Sequence, residues 1–111
     1  MSNEIENLII DIITNSGSAK SSAFEALEYA KNNELDKARE KIKESGQELL
    51  KAHHVQTSLL QKEATGKDIK LNLLTVHAQD HLMTSMLAKD LIEEMIDMQI
   101  ELNKMKSTQI V

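Results

Sequence analysis

Three side chains that could do chemistry lie close together in this sequence: His77, Asp80 and His81. Residues three and four apart are neighbours on a helix, so a helix would gather the two imidazoles and the carboxylate into one cluster. An unprotonated imidazole can act as a nucleophile toward phosphorus. The His-x-x-Asp-His spacing also resembles a helical zinc motif, although a third protein ligand would have to come from elsewhere. The spacing alone leaves open a phosphoryl acceptor, a metal site and a pair of structural histidines.

The helix that carries the cluster is the third of three predicted helices and spans about residues 70–106. At about 100° per residue, Asp80 falls on its most apolar line. That line contains Leu73, Leu87, Leu91, Met98 and Met105. A second apolar side contains Leu74, Leu82, Ile92, Ile96 and Ile100. Because the other two helices of one subunit can cover only about one side, the pattern predicts self-association through the third helix.

The position of Asp80 on an apolar line raises the question of its partner. Burying an unpaired carboxylate is costly, so we expect a nearby cation, a proton or a bound metal. Copies of Asp80 that met on a symmetry axis would repel one another, and a divalent ion with oxygen ligands would relieve that repulsion. The alternative is an ion pair within one chain. His77 lies about 60° away, where it could face a groove between subunits or bond a backbone carbonyl.

The rest of the chain predicts an all-α protein with one domain over residues 1–111. The first helix spans about residues 3–31 and is expected to continue through the small-residue patch 15–18, since the apolar spacing keeps its register across it. The second helix spans about residues 35–63. Its predicted inner face comprises Leu35, Ala38, Ile42, Leu49, His53 and Leu60. His54 is expected to be exposed.

The composition excludes several classes of protein. The net charge is −5, with no basic run and few aromatic residues, which argues against nucleic-acid binding. The absence of cysteine excludes disulfides, thiolate metal sites and thiol nucleophiles. No segment resembles a signal peptide, and no apolar run approaches the roughly 20 residues that span a bilayer. A cytoplasmic protein is therefore expected.

The stretch from Leu73 to Met86, with His-Ala-Gln-Asp-His at its centre, resembles the signature of the lactose/cellobiose-type enzyme IIA of the bacterial sugar phosphotransferase system. Residues 22–27, Ser-Ala-Phe-Glu-Ala-Leu, resemble the same family more loosely. The length, the three helices and the acidic charge agree with the family over essentially the whole chain.

The resemblance implies specific roles for His77 and Asp80. His77 would receive a phosphoryl group from phospho-HPr, hold it on Nε2 and pass it to a cysteine of enzyme IIB. The coupled membrane component would then take up and phosphorylate a disaccharide of the cellobiose, lactose or chitobiose class. Asp80 would bind a divalent metal, expected to be Mg²⁺, on the axis of a trimer. Two further roles rest on placement in the helix and not on the resemblance. Gln79 lies on the polar side of the third helix and is expected to reach toward His77 of a neighbouring subunit and donate to the phosphoryl oxygens, and His81 is expected to support His77.

The resemblance also implies a fold, an antiparallel three-helix bundle that forms a homotrimer of nine helices. The alternative function is a helical metal-binding protein or a metal-dependent hydrolase that uses His77, Asp80 and His81.

Overall fold

The computed structural model describes the backbone of residues 2–109 and the side chains of residues 4–108. Three helices occupy most of this range: α1 (Ser2–Lys31), α2 (Leu35–Ala64) and α3 (Leu73–Gln109). The prediction of an all-α, three-helix protein is confirmed. The predicted single domain over residues 1–111 includes positions 1, 110 and 111, which lie outside the described residues.

The connection between α1 and α2 is a tight turn at Asn33, whose φ of 59° is left-handed. Asparagine tolerates this conformation, which commonly ends helices. The backbone N–H of Glu34 donates to the carbonyl of Tyr29 at 2.9 Å and closes the end of α1. The chain then reverses, so that Lys62 near the end of α2 forms an ion pair with Glu4 near the start of α1. Helices α1 and α2 are therefore antiparallel.

The start of α3 is fixed by Asn72. The side-chain oxygen of Asn72 accepts a hydrogen bond from the backbone N–H of Thr75 at 2.9 Å, which satisfies a helix donor that has no partner within the helix. This cap places the first residue of α3 at Leu73, three residues after the predicted start. Further along, Gln79 contacts Gln56 and Lys89 lies near Gly46, so α3 runs antiparallel to α2.

Helix α1 lies against both of the other helices, whereas α2 and α3 contact each other over a smaller surface. It continues without a break through residues 15–18, as predicted. Ser16 is fully buried, and Gly17 faces α3. The remaining buried side chains of α1 are mostly small or aliphatic: Ile9, Ile12, Ala19, Ser22, Ala23, Ala26 and Ala30. Small residues at a contact let two helix axes approach closely.

The predicted inner face of α2 is partly wrong. His53 and Leu60 are exposed, whereas the buried residues are Ala38, Ser45, Leu49, Ala52 and Leu59. His53 and Leu60 each follow a buried residue by one position, which rotates them by about 100° away from α1. His54 is exposed, as predicted.

Within residues 2–109, no helix is both long enough and apolar enough to cross a membrane.

Candidate functional site

Helix α3 presents its two apolar sides to different surroundings. The inner side packs against α1 and α2 and is buried at Ala78, Leu82, Ser85, Ile92 and Ile96. Of the second apolar side of the sequence prediction, Leu82, Ile92 and Ile96 therefore belong to the core of one chain. Leu74 is exposed and Ile100 is partly buried. The other side, which we call the outer line, is largely exposed. It comprises Leu73 (85% exposed), Leu87 (58%), Leu91 (50%), Met98 (66%) and Met105 (58%).

Asp80 lies on the outer line, about 160° around the helix from its inner side. Its side chain is exposed in one chain, and it forms no ion pair with any other residue that the structure describes. Its backbone carbonyl accepts a hydrogen bond from the hydroxyl of Thr84 at 2.9 Å. The alternative of an ion pair within the chain is therefore not supported.

The two imidazoles of the cluster are stacked. The ring centroids of His77 and His81 are 5.5 Å apart, and the ring planes differ by only 9°. His77 is exposed, whereas His81 is partly buried. The nitrogen lone pairs lie in the ring planes, and parallel planes do not converge on one ion at the roughly 2 Å of a metal–nitrogen bond. The stack therefore leaves the exposed ring of His77 available to a partner but does not favour chelation.

The ring of His81 packs against α1. A Cβ atom placed on Gly17 would lie 3.2 Å from Nε2 of His81, so the ring packs directly on the α1 backbone. Burial of the ring lowers the pKa of His81, and the charges of Lys20 and His77 lower it further, against the opposing effect of Asp80. His81 is consequently neutral over a wider pH range than a free histidine.

Gln79 lies on the other flank of α3. It is partly buried, and its side-chain oxygen accepts a hydrogen bond from the amide of Gln56 in α2. Residues two apart on a helix do not face each other, so Gln79 does not face His77 of its own chain.

The structure brings together the rings of His77 and His81, as the sequence predicted. Asp80 lies about 60° from His77 around α3, whereas Gln79 lies on the flank that contacts Gln56 of α2. No group of three His, Asp or Glu residues in the described part of the chain is arranged to hold a metal ion. Sequence reasoning missed the contact of Gly17 with His81, because nothing in the spacing within α3 points to a residue some sixty positions earlier.

Comparison with known proteins gives the family of the chain. Residues 7–99 match the family described as "PTS system, Lactose/Cellobiose specific IIA subunit". The lichenan-specific phosphotransferase enzyme IIA component of Bacillus subtilis strain 168 is 42% identical over 110 residues, which cover 99% of this chain and 100% of that protein.

Two solved structures share the fold. The cellobiose-specific enzyme IIA of Bacillus anthracis has a TM-score of 0.85 and 39% identity, covering 88% of this chain and 90% of that one. The chitobiose-specific IIA of the Escherichia coli phosphotransferase system was solved in complex with HPr. It has a TM-score of 0.74 and 40% identity, covering 88% of this chain and 95% of that one. The match over residues 7–99, together with these identities, shows that this protein belongs to the lactose/cellobiose-specific IIA family of the phosphotransferase system.

Proposed function

We propose that His77 is the residue on which this IIA component carries its phosphoryl group. The observation that carries the proposal is the exposure of the His77 ring, while the neighbouring imidazole of His81 is partly buried against α1. A phosphoryl donor on another protein can reach only an exposed ring. HPr is the proposed donor, and the solved complex of the related chitobiose-specific IIA with HPr supports this choice.

The chemistry needs a neutral ring nitrogen on His77. The lone pair of Nε2 attacks phosphorus, a new N–P bond forms, and the bond between phosphorus and the donor histidine breaks. In the second half-reaction, a cysteine thiolate of enzyme IIB attacks the same phosphorus, and the N–P bond of His77 breaks. This chain contains no cysteine, so the accepting thiol belongs to another protein. Such transfer depends mainly on positioning and on stabilisation of charge.

Loss of the acceptor gives the first testable prediction. With phosphoenolpyruvate, enzyme I and HPr, we expect the wild-type protein to gain one acid-labile, base-stable phosphate per chain. His77→Gln should gain none, because the glutamine amide has no comparable nucleophilic nitrogen. His53→Gln is the matched control: it removes another exposed imidazole and should be phosphorylated at the wild-type rate. Full phosphorylation of His77→Gln would overturn the assignment.

We also propose that three copies of the chain pack through the outer lines of their α3 helices, giving a trimer of nine helices. The support is the long apolar surface that one chain leaves exposed, from Leu73 to Met105. Full burial of a Leu or Met side chain contributes about 1.5–3 kcal/mol, so covering this line would contribute substantially to assembly. The trimer would also bring His77 of one chain within reach of Gln79 of another.

The proposed metal would lie on the axis of this trimer. One chain supplies only Asp80 there, so a single subunit does not make a metal site among its described residues. Three carboxylates from three copies would form an oxygen-ligand set that suits Mg²⁺. The ion would neutralise the repulsion of the three charges and hold the subunits together. The phosphoryl-transfer steps assigned to His77 do not pass through it.

Two supporting roles complete the proposal. His81 orients the ring of His77 by stacking on it, and Gln79 of a neighbouring copy donates its amide N–H to the phosphoryl oxygens.

The whole chain, residues 1–111, would form one IIA domain. The sugar would be a disaccharide of the cellobiose, lactose or chitobiose class, since related IIA components are named for such sugars. The parallel histidine rings do not favour the alternative of a metal-dependent hydrolase built on His77, Asp80 and His81.

A further inference from the structure

Gly17 occupies the point where α1 meets the stacked histidines. A Cβ atom there would lie 3.2 Å from Nε2 of His81, closer than an ordinary van der Waals contact. Gly46 of α2 provides a comparison, because a Cβ at that position would lie 3.9 Å from the end of the flexible Lys89 side chain. Both glycines lie inside helices, where glycine is a poor helix former. Only at Gly17 would a larger side chain press on the candidate site.

The contact at Gly17 leads directly to His77. The ring of His81 lies on the α1 backbone on one side, and the ring of His77 is parallel to it at 5.5 Å. His77 is itself exposed, and the ring of His81 is stacked beside it. A displacement of His81 by a few tenths of an ångström would therefore shift the surface against which His77 rests.

We propose that Gly17 is a positioning residue for phosphoryl transfer: it seats the ring of His81 on α1, and His81 in turn sets the orientation of the His77 imidazole. This inference rests on the proposed role of His77 as the phosphoryl acceptor. It assigns α1 a part in the reaction, which the motif in α3 does not reveal. Phosphoryl transfer is sensitive to such an arrangement, since a misplacement of about 1 Å can cost about 100-fold in rate.

The test uses alanine and valine at both glycines. We expect Gly17→Ala to keep or raise the melting temperature, because alanine is the better helix former, while it lowers the rate of transfer from phospho-HPr. Gly17→Val, with a larger side chain, should lower that rate about tenfold or more. Gly46→Ala and Gly46→Val should transfer at the wild-type rate. Wild-type rates in both Gly17 variants would overturn the proposal.

A double-mutant cycle tests whether Gly17 acts through His81. In a His81→Ala background the ring that Gly17 seats is gone, so adding Gly17→Ala should cause no further loss of rate. The NMR signals of the His77 ring should move in Gly17→Ala and stay in place in Gly46→Ala. An equal loss in both backgrounds, or an unmoved His77 ring, would contradict the proposed path. If the wild-type protein carries its phosphate on another residue, the assignment of His77 fails. The NMR signals of the His77 ring would still test whether Gly17 positions the two stacked rings.

Discussion

At the scale of single residues, the site is defined by the unequal surroundings of two similar side chains. His77 and His81 lie one turn apart, yet the ring of His81 is packed on Gly17 while His77 is exposed. The sequence predicted that the two imidazoles are neighbours, because the spacing of four fixes that on any helix. It could not predict which of the two rings packs against α1, since this packing depends on a contact with a distant part of the chain.

The lowered pKa of His81 predicts how acid affects the protein. Burial lowers this pKa from 6.5, so the folded state binds fewer protons at this site than the unfolded state. The neutral His81 ring therefore contributes to the stability of the folded state above the unfolded pKa of about 6.5, and this contribution is lost as the pH falls below that value. We expect an NMR titration to give His81 a pKa below 6.5, the ordinary value for histidine.

The pH dependence of stability should change when the ring is removed. His81→Gln should lose less stability between pH 7 and pH 5 than the wild-type protein, because it lacks the group whose pKa is lowered by folding. Since His81 is only partly buried, the difference will be small. A pKa of His81 above 6.5 would contradict the burial of its ring against α1.

At the scale of the helices, periodicity predicted the faces that carry large side chains and failed where small residues form the contact. In α3, Leu82, Ile92 and Ile96 marked the inner side correctly. In α2, the buried Ser45 and Ala52 have little hydropathy signal, and the pattern favours the exposed His53 over Ala52. At the adjacent leucines, hydropathy does not distinguish the buried Leu59 from the exposed Leu60.

The cap of α3 gives a prediction at this scale. Asn72→Ala removes the acceptor for the backbone N–H of Thr75 and should lower the free energy of unfolding by about 1 kcal/mol. Loss of the cap should also accelerate hydrogen exchange in the first turn of α3, which directly precedes the turn that contains His77. Asn32→Ala, in the exposed turn between α1 and α2, is the control and should change stability little. Equal effects of the two substitutions in chemical denaturation would argue against the cap.

At the scale of the whole molecule, the exposed outer line of α3 supports the proposal that the chain assembles with copies of itself. It carries large apolar side chains next to the carboxylate of Asp80, and the sequence predicted their alignment. Helical periodicity reveals such a line but not the number of copies that cover it, because the same stripe would serve a dimer or a trimer.

Assembly through this line predicts an unusual response to substitution of Asp80. Asp80→Leu should retain or strengthen the trimer, since it replaces a mutually repelling charge by apolar packing and removes the need for a cation. Sedimentation should show the wild-type trimer weakened by a chelator and the Asp80→Leu trimer unaffected. Leu87→Asp, on the same line, should dissociate the assembly. Monomeric Asp80→Leu would rule out an axial position for Asp80.

The most direct test of the central claim is to locate the phosphate on the wild-type protein. After incubation with phosphoenolpyruvate, enzyme I and HPr, mass spectrometry under basic conditions identifies the modified residue, and ¹⁵N NMR identifies the modified ring nitrogen. We predict one phosphoryl group per chain on Nε2 of His77, which is removed on addition of the cognate enzyme IIB. A phosphoryl group on His53, His54 or His81, or no phosphorylation at all, would contradict the account.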